Sequence, residues 1–141
     1  MRFQNEVVID APADEVWRLT ADVESWPAMS PTFTSVQRLD DGPLRVGSTA
    51  RVKQPGQRPT TWTVTAIDPP RRFEWEARVL GVHMIGSHEV IAADGGCRNR
   101  LALTLSGRGA RVLGAVAGRM LRRSLAVENA GFKRHAESLP A

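Results

Sequence analysis

Two side chains of this sequence could transfer protons near neutral pH. His88 lies in a run of strand-forming residues, on the same face as Met84 and Val90 if side chains alternate with a period of two. An imidazole on the inner face of a sheet could act as a general acid or base, because its ordinary pKa is near neutrality. Glu128 lies near Ser124 on a C-terminal helix, where partial burial would raise the pKa of its carboxyl group. His88 and Glu128 are therefore the candidate catalytic residues.

Both residues also have a structural interpretation. A strand histidine is more often a hydrogen-bonded core or rim residue than a catalyst, and a helix carboxylate more often pairs with a cation. His83 lies five residues before His88, so the strand period places these two histidines on opposite faces and predicts no metal site. The sequence contains no nucleophile, zinc or phosphate-binding motif. Four arginines of the predicted sheet could pair with Glu128: Arg51, Arg78, Arg98 and Arg100.

Tryptophan and methionine side chains indicate where an apolar ligand would bind. Trp62 and Trp75 lie on neighbouring predicted strands and Met84 lies on the next one, which suits one wall of a pocket. Ordinary core packing is the alternative interpretation of the tryptophans. The candidate ligand-binding residues are Trp26, Trp62, Trp75, Met84, Met120 and Ser124.

The elements that would position these side chains follow from periodicity. Residues 2–10 alternate as a half-buried strand does, with the odd positions facing inward. Pro12, Asp14 and Glu15 mark the start of a short helix, and a second helical turn precedes Pro31. Residues 110–139 form one long amphipathic pattern without proline. Six further strands, joined by short turns, are predicted at residues 34–39, 48–54, 60–67, 73–79, 82–92 and 98–106.

The predicted fold class is α+β. Short turns between consecutive strands predict an antiparallel meander, since a parallel pair would need a long crossover. Seven such strands would curl, and one helix about 10 Å across cannot fill the concave side. Small residues on the inner side of the helix, Ala117, Ser124 and Gly131, favour a cavity there. The interior between sheet and helix is thus the predicted site.

The long helix has two chemically different sides at about 100° per residue. We expect its apolar side to pack entirely on the sheet, which argues against stable membrane insertion. The basic side indicates solvent contact, with anionic lipid, RNA or a partner protein as alternatives. The apolar side contains Leu113, Val116, Ala117, Met120, Leu121 and Val127; the polar side contains Arg111, Arg119, Arg122, Asn129, Lys133 and Glu137.

Composition limits the class of protein. The 141 residues, 42% of them hydrophobic and 24% charged, predict one folded domain over 1–141. A net charge of +4, carried by 17 arginines and two lysines against 15 acids, is too small to predict nucleic-acid binding. One cysteine, Cys97, and an N-terminus interrupted by Glu6 and Asp10 predict a cytoplasmic protein. The edge strands leave a homodimer possible.

Four segments together resemble a known family. They are VVIDAPADEVWRLTADVESWPAMSP, IDPPRRFEWEA, ADGGCRNRLALTLSG and VENAGFKRHAESL. The chain resembles the START-like, helix-grip (SRPBCC) superfamily, and within it the polyketide cyclase/dehydrase branch. This resemblance implies a curved seven-stranded antiparallel sheet gripping the C-terminal helix, with a hydrophobic ligand cavity between them. It also implies that the loop of Trp26 closes one end of the cavity, which would make Trp26 a gate.

Function remains open at this level, because members of the superfamily include carriers, aromatase/cyclases and receptors. The main hypothesis is binding of a hydrophobic small molecule, lipid-like, polyketide or aromatic, without a cofactor. The alternative is a polyketide cyclase/aromatase or dehydratase that uses His88 and Glu128. A second alternative is an interaction protein that uses the basic helix face.

Overall fold

The computed structural model describes residues 1–139. Strand β1 (Arg2–Ile9) is followed by helix α1 (Ala13–Ala21), a 3-10 turn (Val23–Ser25) and helix α2 (Trp26–Met29). The long helix α3 spans Ala110–Ser138 and follows the strands. The remaining strands are β2 (Ser35–Arg38), β3 (Thr49–Lys53), β4 (Thr60–Asp68), β5 (Arg72–Val79), β6 (Val82–Ala93) and β7 (Gly96–Gly107). This element order confirms the predicted strand and helix assignments.

All seven strands form one antiparallel sheet. Their order is β1-β7-β6-β5-β4-β3-β2, so the meander closes by pairing the first strand with the last. A bulge between Val64 and Ala66 shifts the β4–β5 register, and such bulges increase the local bend of a sheet. In β1 the side chains of Phe3 and Ile9 are buried while those of Arg2, Gln4 and Glu6 are exposed. The predicted α+β helix-grip class is therefore correct.

The C-terminal half of α3 is fixed to the sheet by asparagines. Asn129 donates hydrogen bonds to the side-chain oxygen of Asn5 at 2.9 Å and to the backbone oxygen of Asn99 at 2.9 Å, and it accepts one from the Asn99 side chain at 2.8 Å. Asn99 and Asn129 are fully buried. The prediction that Asn129 lies on the exposed polar side of the helix is therefore wrong. The network fixes the rotation of α3 at the residue next to Glu128.

Gly131 allows α3 to pack closely against α2 and does not widen the cavity. A Cβ atom added there would overlap the carbonyl oxygen of Met29, the last residue of α2. The expectation that its small size favours the cavity is therefore wrong. Its absent side chain instead lets α3 approach the backbone of α2.

Gly131→Ala tests this packing role, because helix propensity and overpacking predict opposite changes in the free energy of unfolding. Helix propensity alone would make Gly131→Ala stabilising by about 1 kcal/mol. Because the added methyl group meets backbone, we expect instead a loss of about 2 kcal/mol in the free energy of unfolding, typical of overpacking. Urea unfolding of the two proteins measures the difference, and a gain in stability would contradict the assigned contact.

The N-terminal half of α3 leaves apolar residues in solvent. Val112, Val116 and Met120 are 67%, 82% and 55% exposed. The expectation that the whole apolar side packs on the sheet is therefore wrong for this half. Here the sheet contacts the helix from another side, where Gly118 lies against the ring of Phe3. Within residues 1–139, none of the helices has both the length and the hydropathy of a transmembrane span.

Candidate functional site

A cavity lies between the concave side of the sheet and α3. Its volume is about 130 Å³, close to the roughly 150 Å³ of an engineered cavity that binds benzene. Strands β3 to β7 form its floor and walls, and the segment of α3 from Met120 to Glu128 covers it. All eight residues singled out in the sequence line this one cavity: Trp26, Trp62, Trp75, Met84, His88, Met120, Ser124 and Glu128.

His88 is positioned by the registers on both sides of β6. It lies opposite Phe73 on β5 and opposite Leu101 on β7. The imidazole stacks on the Phe73 ring with centroids 4.9 Å apart and an angle of 4° between the planes, and it also contacts Trp26 at 4.7 Å. Its Nδ1 is buried without a hydrogen-bond partner. His88 is therefore not a hydrogen-bonded structural histidine, which was the alternative interpretation.

Glu128 enters the cavity from α3. Glu128 is 8% exposed. The cationic or imidazole group that lies near its carboxyl group is His88, whose Nε2 is 3.9 Å from Oε1 of Glu128. Among residues 1–139 no arginine pairs with this carboxyl group, so the alternative of an arginine partner from the sheet does not hold. A separation of 3.9 Å is too long for a direct hydrogen bond. An oxygen atom of a bound molecule could contact both groups.

Burial keeps both groups neutral. Desolvation raises the pKa of Glu128 to about 8 and lowers the pKa of His88 to about 3. At neutral pH the site thus contains a protonated carboxyl group, which can donate a hydrogen bond or a proton, and a neutral imidazole, which can accept one. Both shifts have the same cause, burial, and both favour the uncharged form of the group. The sequence predicts these two residues, whereas the 3.9 Å distance between their side chains is known only from the structure.

Trp26 is a fixed wall of the cavity. It is 1% exposed, and its indole Nε1 donates to the carbonyl oxygens of Leu19 at 3.3 Å and Thr20 at 3.2 Å. Its ring packs against Phe33, Phe73, Trp75, His88 and Phe132. A residue held in this way does not open and close an entrance, so the suggested gating role of Trp26 does not fit the structure.

Trp62 and Trp75 form an aromatic surface on the adjacent strands. Their ring centroids are 5.5 Å apart. Gly86 on β6 pairs with Trp75, and a Cβ at Gly86 would lie 3.1 Å from the indole nitrogen of Trp75. The missing side chain of Gly86 therefore provides space for this indole. Gly86 is the functional residue missing from the predicted site, although an isolated glycine inside a strand is a known sign of close approach.

The exposed end of the cavity is polar. Met120 of α3 and three residues of the β3–β4 connection, Gln54, Gln57 and Arg58, line it. The sequence predicts only a turn for this connection, because its proline and glycine residues give no sign of a ligand contact. Among residues 1–139 no group of three or more His, Cys, Asp or Glu side chains could hold a metal ion.

Solved structures resemble this fold over nearly its whole length. A hypothetical protein from Helicobacter pylori superposes with a TM-score of 0.83 at 14% identity, covering 96% of this chain and 88% of that chain. Norcoclaurine synthase from Thalictrum flavum, in complex with dopamine and hydroxybenzaldehyde, has a TM-score of 0.77 at 15% identity, covering 100% and 88%. An aromatase/cyclase from Streptomyces has 0.72 at 23% identity, covering 98% and 96%. At these identities the likeness concerns the fold alone.

Sequence comparison gives the family. A curated relative named "Putative polyketide cyclase", from Streptomyces halstedii, is 46% identical over 37 residues, which is 26% of this chain and 34% of that protein. The match thus spans only about a third of that relative's length. The model of the family described as "Polyketide cyclase / dehydrase and lipid transport" matches residues 1–137. This chain therefore belongs to the polyketide cyclase/dehydrase and lipid transport family.

Proposed function

We propose that this protein binds a hydrophobic small molecule in the cavity between sheet and α3, with an aromatic ring or similarly planar apolar body against Trp62 and Trp75. The observation that carries the proposal is an apolar cavity that also contains two polar groups without partners of their own, His88 and Glu128. Binding sites for small molecules commonly combine apolar walls with a few such polar groups. The family, and a structural neighbour in complex with dopamine and hydroxybenzaldehyde, support the same class of ligand.

The polar pair limits which ligands fit. Burying an apolar ligand surface contributes about 25 cal/mol per Å². A purely hydrocarbon ligand would leave the Glu128 carboxyl group and the His88 imidazole unbonded, which costs free energy for buried polar groups. A ligand with a hydroxyl or carbonyl oxygen can bridge the 3.9 Å between them. We therefore expect phenol to bind more tightly than benzene, since one ring matches the volume of the cavity.

The experiment combines extraction with titration. Native mass spectrometry of the purified protein should reveal a bound apolar molecule. If the protein is purified empty, it should take up added phenol with quenching of its tryptophan fluorescence. In Glu128→Leu the preference for phenol over benzene should fall while benzene binding is retained. No uptake of either compound by the folded protein, together with no bound molecule after purification, would refute a ligand-binding function.

A second candidate function is acid and base catalysis on a polyketide-like chain, by cyclisation or dehydration. The specific observation in its favour is the proximity of a protonated carboxyl group and a neutral imidazole in the cavity. In a dehydration, His88 would remove a proton from the carbon next to a carbonyl group, and Glu128 would protonate the hydroxyl group that leaves as water. Holding the chain folded in the cavity would bring the reacting atoms together.

Turnover of a model poly-β-keto thioester tests this second candidate. If the pair performs the chemistry, His88→Ala and Glu128→Gln should each lower the rate by about 100-fold, the lower end of what general acid and base catalysis contributes. Glu15→Gln, on the outside of α1, is the control. An unchanged rate in both variants would exclude the pair as catalytic residues while leaving the binding function intact.

A further inference from the structure

The N-terminal half of α3 exposes an aliphatic stripe, Val112, Val116 and Met120, which we call the α3 stripe. The three residues are spaced by four and therefore lie on one side of the helix. Each is more than half exposed. Met120 also lines the cavity, so the stripe ends at the cavity's exposed end.

A further exposed aliphatic residue projects at the same end of the molecule. Leu80, in the turn between β5 and β6, is 97% exposed and has a φ of +49°. Glycine or asparagine adopts this backbone region at lower cost than leucine. The turn packs near the start of α3, since Gly81 lies beside the backbone of Arg108. A strained and fully exposed leucine has no role in the packing of this protein.

The charge around the α3 stripe has one sign. Residues 108–127 contain five arginines and no aspartate or glutamate. Arg119 and Arg123 lie on the exposed side with the stripe, and Arg111 borders it. Within residues 1–139 none of the five takes part in an ion pair with a carboxylate. These arginines have therefore not been neutralised within the fold.

We propose that the α3 stripe and Leu80 form a surface that docks reversibly on an anionic lipid membrane. Aliphatic side chains that enter the interface while neighbouring arginines contact anionic headgroups are the pattern of peripheral membrane binding. RNA fits less well, because single strands are bound by exposed aromatic side chains and the exposed apolar residues here are aliphatic. Docking would place the exposed end of the cavity, at Met120, against the lipid.

Sedimentation with vesicles tests the proposal. The full protein should bind vesicles of phosphatidylcholine mixed with phosphatidylglycerol and bind pure phosphatidylcholine weakly. Arg119→Gln with Arg123→Gln should lower the partition coefficient by about 25-fold, from about fivefold for each arginine. Val116→Glu should lower it by about tenfold, because a carboxylate replaces an inserted isopropyl group.

Matched controls lie elsewhere on the surface. Val46→Glu replaces a valine that is 62% exposed in the β2–β3 connection, and Arg51→Gln with Arg71→Gln removes two other arginines. Both should leave vesicle binding unchanged. The proposal is overturned if the wild-type protein does not bind anionic vesicles, or if the control variants lose as much binding as the test variants. It is also overturned if the protein binds single-stranded RNA through the five arginines and does not bind vesicles.

Discussion

Glutamine in place of Glu128 is expected to raise the free energy of unfolding by on the order of 4 kcal/mol at about pH 9 and to change it little at about pH 4. Burial raises the pKa of Glu128 from 4.5 to about 8. The folded protein therefore binds the proton more tightly than the unfolded chain, and its stability falls as pH rises through this interval. A glutamine has the shape of the protonated side chain and cannot ionise, so the variant avoids this loss.

Urea unfolding at a series of pH values measures the effect. The variant should lose the decline in stability between about pH 4.5 and pH 8. It should retain the separate decline below pH 6.5 that comes from His88, whose pKa burial lowers to about 3. Asp94→Asn, in the exposed β6–β7 turn, is the control and should leave both slopes unchanged. If Glu128 were instead an anion paired with an imidazolium, Glu128→Gln would destabilise the protein at neutral pH.

Phenylalanine in place of Ser124 is expected to weaken binding of phenol by about 100-fold or more. Ser124 lines the cavity from α3, and a cavity of about 150 Å³ holds one benzene ring. A phenyl side chain would therefore occupy most of the 130 Å³. Excluding about 100 Å² of ligand surface costs about 2.5 kcal/mol, which is close to 100-fold in affinity.

The matched control is Ala126→Phe, two residues further along α3 on its exposed side. It introduces the same ring outside the cavity and should leave the affinity for phenol unchanged. Tryptophan fluorescence quenching measures both variants, since Trp26, Trp62 and Trp75 line the cavity. Equal binding by Ser124→Phe and the wild type would mean that the ligand binds elsewhere.

The sheet could be predicted from the sequence because its signals are local. Alternation in β1 and the short turns between β2 and β7 depend only on neighbouring residues, and both determine which side chains face inward. This is sufficient to place Met84 and His88 on one face of a strand and Trp62 and Trp75 on neighbouring strands, whereas the structure shows that the shared face is the concave one. Their common cavity follows once the sheet curls around the helix.

The helix could not be predicted to the same degree, because its surroundings change along its length. A helical wheel assumes the same neighbours at every turn. In α3 the second half contacts β1, β7 and α2, which buries Asn129 and requires Gly131. The first half contacts the sheet on one side only and leaves Val116 exposed. Polar residues that form a buried network have no signal in hydropathy, so Asn5 and Asn99 were not identified.

A crystal structure of the protein grown with phenol tests most directly whether the interior holds a ligand. We predict a phenol ring against Trp62 and Trp75, with its hydroxyl oxygen within hydrogen-bond distance of Glu128 and His88. An interior closed by Met120 and the tryptophan side chains, with the compound absent or bound only at the surface, would contradict it.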